Sequence, residues 1–394
     1  MVDLTRPPAS GTLPRSLLYA TSARIGGTGL DVTSHQGALA AQRAGFLHRM
    51  IGYGNQQEEI PSSHIRSLRA SPVRLLSFLP SQKYYAAKKW YVDQVAARTL
   101  SHGSYDCFHG WSGDCLQTLI AARQKDIPTL IDIPTWHRNK GNRKPFITKS
   151  ERENRSTHWG NAFRVTRQRV LTEYELADVI LVPSERAAET FLDVGTPPGK
   201  LFYVGRGVDP DHYRPADKPP LFRLVFVGAL IRRKGVHHLL KAWKKLALDD
   251  AELVLIGNAH SEIREDLKAV GSSSVRVTGF TPHVVGQLRR STAFVFPSEC
   301  EGFAKATLEA AACGLPLIAT RESGDAVVDG ETGLTIPPND PGALADAIRH
   351  LYDHPEKISP MGEAARQRVL EHFTWDHYRA RLLKAYVYAR DKHT

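Results

Sequence analysis

Short apolar runs alternate with stretches of helix-forming composition along almost the whole chain. Leu224–Val227, Leu253–Ile256, Val275–Thr278, Ala293–Phe296 and Leu317–Ala319 form one series. Ser16–Ala20, Val73–Phe78, Thr129–Ile133 and Val179–Val182 form an earlier one. A strand covered by helices on both faces reads as an unbroken apolar run, so this alternation predicts α/β architecture with two parallel sheets. Helices are expected over His35–Arg43 and near 84–100, 113–124 and 162–177. At 394 residues the chain exceeds what one core usually serves. The Gly-, Pro- and charge-rich stretch GRGVDPDHYRPADKPP, 205–220, reads as the linker. The expected division is 1–205, 206–370 and a terminal helix, 371–394. A ligand shared by two such Rossmann-like domains would lie in a cleft at the carboxyl ends of their strands.

Charge and cysteine content narrow the function classes. The formal net charge is +11, and residues 1–205 hold 26 Lys+Arg against 17 Asp+Glu. A basic half suits nucleic acid, anionic lipid or an acidic small substrate, or is simply a solvated surface. With no zinc-finger spacing and no RRM-like aromatic motif, nucleic acid is not the expected partner. Cys107, Cys115, Cys300 and Cys313 form no CxxC pair, which fits free thiols in a reducing compartment. No signal-peptide core and no bilayer-length apolar run stand out. The expectation is a cytoplasmic protein, with peripheral contact to the inner membrane face as an extension. No metal motif is recognisable.

The stretch FPSECEGFAKATLEAAACGLP, 296–316, carries the densest chemistry. Pro297 and Ser298 break a strand, and Ala304–Cys313 has helical composition closed by Gly314 and Pro316. Glu301 is then expected at a helix entrance. There the amides of Gly302, Phe303 and Ala304 lack intrahelical partners and suit a phosphate. Glu309 follows eight residues on, about 12 Å if the span were helical. Two carboxylates for hydroxyls with amides between them fit a sugar nucleotide. The plain alternative is an acidic cap at Glu301 and a solvated Glu309.

Two glycine turns leave strands. IGGTGLD, 25–31, lets backbone approach a ligand at Gly27, or is a structural turn. VGALIRRKG, 227–235, sets Arg232, Arg233 and Lys234 after Gly228 and before a helix, where they suit a diphosphate or form an exposed basic turn. WHRNKGNRKPFITK, 136–149, carries Arg138, Lys140 and Arg143, an acceptor-side anion site or a solvated loop.

VGALIRRKG, the VTGF turn with Gly279 and Phe280, EGFAKATLE, and ACGLPLIAT followed by DGETGLTIPPNDPGALADAI together resemble family 4 of the retaining glycosyltransferases, which have the GT-B fold. The likeness runs through most of 202–375. It implies retaining, metal-independent transfer of a sugar from a nucleoside diphosphate sugar, with no cofactor, to an unidentified acceptor; the basic segment 136–149 would suit an anionic acceptor or one at a membrane surface. Glu301 would meet the donor sugar and Glu309 the ribose. The amides after Glu301 and the Lys234 side chain would meet the diphosphate, and backbone at Thr278–Phe280 the base. Ala229 stands where the family often has Arg, and Arg232 or Arg233 is the expected substitute. The first-domain His of the family has no direct counterpart, since Pro134 falls at its place. His137 is the catalytic candidate and His109 the second. Phe373–Tyr386 resembles the family's final helix. Another GT-B activity, such as epimerisation, is the alternative.

Overall fold

The computed structural model describes residues 11–27, 29–139, 167–217, 219–271 and 274–393. The chain divides into two compact units. The first gathers 1–183, 188–204 and 379–394, and the second 184–187 and 205–378.

In the first unit, seven parallel strands run in the order Ile65–Ser67, Leu47–Gly52, Leu17–Ala20, Cys107–Trp111, Thr129–Asp132, Val179–Val182, Leu201–Tyr203. Four of them, Leu17–Ala20, Cys107–Trp111, Thr129–Asp132 and Val179–Val182, are buried at every residue. Continuous apolar runs are what a sheet covered on both faces requires. The helices Ser81–His102 and Leu116–Gln124 pack against one another beside it. The buried carboxylates Asp93 and Glu173 are held by backbone amides and Arg169, as the cost of an unpaired buried ion demands. The Asp93 carboxylate accepts from the Gln117 and Thr118 amides at 2.9 Å each and pairs with Arg169 at 2.6 Å. Glu173 accepts from the Gly113 and Cys115 amides, and burial nevertheless pushes its carboxyl up to about 7.

One segment contradicts the sequence reading. Val73–Phe78 is not a strand: Pro72–Leu76 is a 3₁₀ turn, with Leu75 77% and Phe78 79% exposed. Pro72 presets the first turn of a helix, and of this run only Val73 is buried in the core, with Leu76 packed partly against it. Conversely, Leu47–Gly52 is a strand although it carries the exposed His48.

The second unit holds six parallel strands in the order Val275–Gly279, Ala251–Ile256, Phe222–Val227, Ala293–Phe296, Leu317–Ala319, Gly333–Thr335. The helices Val236–Leu246, Lys305–Ala312, Pro341–Asp353 and Ile358–His372 bury their apolar faces in its single core. Asp340 caps the third of these by accepting from the Gly342 and Ala343 amides at 2.9 Å. The last helix, Trp375–His393, starts in the second unit and passes into the first at Arg379. No helix among the described residues is long and apolar enough to cross a membrane.

Candidate active site

Strands Phe222–Val227 and Ala293–Phe296 are parallel neighbours, so the turns that leave their carboxyl ends emerge side by side. The first turn begins at Gly228 (φ 153°), whose Cβ, if present, would sit 3.1 Å from Lys234 Nζ. It closes at Gly235 (φ 70°), where a Cβ would fall 2.0 Å from the Pro297 carbonyl oxygen. The second turn carries Ser298 and Glu301. Close backbone packing thus brings the basic turn onto the acidic one.

Glu301 is the hub. Its Oε1 lies 2.9 Å from Arg233 Nη1 and 3.4 Å from Lys234 Nζ, and accepts from Ser298 Oγ at 3.2 Å. Arg233 also donates to the Cys300 carbonyl oxygen. Lys234 Nζ stands 4.8 Å over the Phe296 ring. Burial pulls the Lys234 ammonium below its ordinary pKa, and Glu301 opposes that shift. Arg232 points elsewhere: it is held 2.6 Å from Asp266, and its amide donates to Glu262. Of the two arginines expected there, only Arg233 joins the acidic turn.

The helix begins at Lys305, one residue later than expected, so Glu301 lies outside it and the helical rise does not set its distance from Glu309. Nor are the three expected amides equivalent. Ala304 N–H donates to the Ser323 carbonyl at 2.8 Å, because a segment far along the chain closes over the turn. Among the described residues, the Gly302 and Phe303 amides have no hydrogen-bond partner and remain available to an anion. Glu309 is half-buried on the helix. Burial raises its pKa, while Lys305, one helical turn earlier, and a hydrogen bond with Tyr213 hold it down. Neither Lys305 nor Tyr213 was singled out from the sequence; the signal was the i,i+4 spacing of Lys305 and Glu309.

At the other edge of this sheet, Gly279 (φ 70°) gives its carbonyl to the Gly257 amide at 2.9 Å, and the Phe280 amide donates to Asn258 Oδ1 at 3.3 Å. These backbone groups serve the turn itself, while the Phe280 side chain is 78% exposed. Asn258, which the sequence reading passed over, organises that corner.

The candidates of the first unit are placed differently. His137 is 6% exposed, with its ring 4.7 Å from Phe191 and 5.1 Å from Tyr174. Its Nδ1 accepts from the Asn139 amide at 3.1 Å, and burial pushes its pKa down to about 4. His109 is fully buried, with Nδ1 2.7 Å from the Tyr386 hydroxyl and Nε2 3.2 Å from Asp132. Both are core groups. Gly27 donates its amide to the Arg24 carbonyl at 3.2 Å in a tight turn beside Asp31. Arg138 is exposed, and Lys140 and Arg143 lie outside the described residues.

Residues 222–354 match the family model of glycosyl transferases group 1. The chain is 30% identical over 261 residues to the alpha-maltose-1-phosphate synthase of Mycolicibacterium smegmatis, covering 58% of this chain and 67% of that enzyme. It is also 30% identical over 254 residues to the D-inositol 3-phosphate glycosyltransferase of Pseudarthrobacter chlorophenolicus, covering 58% and 60% of the two chains. Among solved structures, the sucrose-phosphate synthase of Thermosynechococcus elongatus superposes with TM-score 0.70 at 21% identity, over 93% of this chain and 97% of that one. Anabaena HepE in complex with UDP-glucose gives 0.67 at 16%, over 94% and 99%. These likenesses show the GT-B fold. Together with the family model and the relative from Mycolicibacterium, they make this chain a member of the group 1 glycosyl transferases.

Proposed function

We propose that this protein moves a sugar from a nucleoside diphosphate sugar to an acceptor with retention at the anomeric carbon, as a family 4 enzyme whose transfer chemistry uses no metal. The observation that carries the reading is the meeting of Arg233, Lys234 and Ser298 on one carboxylate oxygen of Glu301, at adjoining strand ends. Without a donor, Glu301 neutralises two cations. With one bound, a diphosphate takes up the cations and the Gly302 and Phe303 amides, and Glu301 is released to accept from sugar hydroxyls. Glycosidic cleavage then puts negative charge on the leaving diphosphate, which Lys234 and Arg233 are set to stabilise from a partly desolvated position. Retention follows if the acceptor attacks from the leaving-group face, the course that the resemblance to family 4 implies. Glu309 anchors the ribose in this reading. His137 and His109 act as supports of their unit and not on the reacting atoms.

HepE is solved with UDP and with UDP-glucose, so a uridine diphosphate sugar is the first donor to try. The test is a thermal-shift screen of UDP, GDP and ADP sugars, followed by NMR of the product formed with candidate sugar, polyol and phosphorylated acceptors. An α-linked product from an α-linked donor supports the reading. An inverted product removes retention from it, and isomerised donor without acceptor would favour epimerisation.

A further inference from the structure

The helix Val236–Leu246 places two consecutive histidines directly after the Arg232–Lys234 turn and Gly235. Successive helical side chains point about 100° apart, yet the His237 and His238 rings converge, with centroids 3.8 Å apart at 40°. Glu299, in the loop after strand Ala293–Phe296, reaches the same place. One ligand atom from each of His237, His238 and Glu299 lies within 4.8 Å of the other two. Glu299 N–H donates to the Arg233 carbonyl at 2.9 Å, which pins the loop over the start of the helix. His237 is only 8% exposed, and the Nδ1 atoms of both rings are buried without a hydrogen-bond partner. A buried nitrogen lone pair with nothing to accept from is a costly feature unless something else fills it.

We propose that His237, His238 and Glu299 form a binding site for a divalent transition ion of the zinc class, outside the Arg233–Lys234–Glu301 cluster. Two imidazoles and a carboxylate are the donor set of such borderline ions, whereas magnesium and calcium take oxygen. Metal–ligand bonds of about 2.0–2.1 Å at the tetrahedral angle put two ligand atoms about 3.4 Å apart. A pair at the 4.8 Å limit would therefore close by roughly 1.5 Å on binding. Asn339 hydrogen-bonds the His238 ring, and with Nδ1 open, Nε2 is the nitrogen left for it. Such an outer partner fixes a ligating imidazole's tautomer. Among the described residues, no other group of three His, Cys, Asp or Glu side chains converges in this way. A bound ion would tie the loop after Phe296 to the helix start and brace the turn that presents Arg233 and Lys234.

The test uses the tag-free full chain, stripped with EDTA and titrated with ZnCl2 by calorimetry and with Co2+ by visible absorption. The expected result is one equivalent of Zn2+ bound, a rise in Tm on binding, and Co2+ bands typical of mixed nitrogen and oxygen ligation. His238→Gln and Glu299→Gln should each weaken Zn2+ by at least about tenfold, the lower end of what loss of an outer partner alone costs. Should His238→Gln fail to fold by circular dichroism, Glu299→Gln in the loop still decides. Absence of stoichiometric uptake by the unsubstituted chain, or unchanged affinity in every folded variant, overturns the proposal.

Discussion

Gly235 and the Pro297 carbonyl are packed so closely that a methyl group on Gly235 would stand 2.0 Å from that oxygen, and φ at Gly235 is 70°. This contact locks the basic turn onto the acidic one. Gly235→Ala is therefore expected to lower stability by about 2–3 kcal/mol from the left-handed backbone and the clash. It should also weaken nucleotide binding in whatever protein folds. Urea denaturation and calorimetry with UDP check both, and an unchanged urea midpoint would show that the turn is free to move.

Adjacent arginines should behave differently. Arg233→Ala and Lys234→Ala each remove a cation from beside Glu301, and each is expected to reduce donor affinity about ten- to a hundredfold, the worth of a charge-assisted hydrogen bond. Arg232→Ala breaks the pair with Asp266 on a half-exposed surface and should change donor affinity less than threefold. Equal effects of the two arginine substitutions would mean that Arg232 turns inward when the donor binds.

Glu301→Gln keeps the shape of the side chain and removes the charge that separates Arg233 from Lys234. Turnover should fall at least a hundredfold, while the bare nucleoside diphosphate, which needs only the cations and amides, should bind as well as before or more tightly. Steady-state kinetics beside UDP calorimetry separates the two. Full turnover in this variant would place the sugar elsewhere.

The His137 ring sits folded at a pKa of about 4 against an ordinary 6.5. The depressed value means that the unfolded chain takes up the proton first as pH falls. The stabilisation from the neutral ring is whole above about 6.5, declines through the interval, and is gone below about 4. The full swing is of order 3 kcal/mol. His137→Phe should flatten the fall in urea midpoint between pH 6.5 and 4 relative to the unsubstituted chain. An equally steep profile would show that His237, also near 4, dominates instead.

Ala293–Phe296 and Leu317–Ala319 were legible because every residue of both is buried and each so spells out an apolar run; they agree with the sequence reading end to end. Leu47–Gly52 escaped because its exposed His48 interrupts the run, and Val73–Phe78 misled because its apolar residues, Val73 apart, are not fully buried. In the site, the pairing of Lys234 with Glu301 could be anticipated from two motifs. The separation of Arg232 from Arg233 could not, since it depends on Asp266 and Glu262 from another helix and turn. The loss of the Ala304 amide to Ser323 was equally invisible, as a hydrogen bond between distant segments leaves no local spacing.

The first unit includes 379–394, and these residues are tied in by the Tyr386 hydroxyl on His109 and by Arg390 Nη1 donating to the Thr12 carbonyl at 3.2 Å. A ribosome delivers those residues after every part of the second unit has emerged. Although its sheet begins at Leu17, the first unit is thus the later of the two to be finished during synthesis, and its buried imidazole waits for a phenol hundreds of residues downstream. Vectorial synthesis favours the N-terminal domain as the first to fold; in this chain the order of completion is reversed.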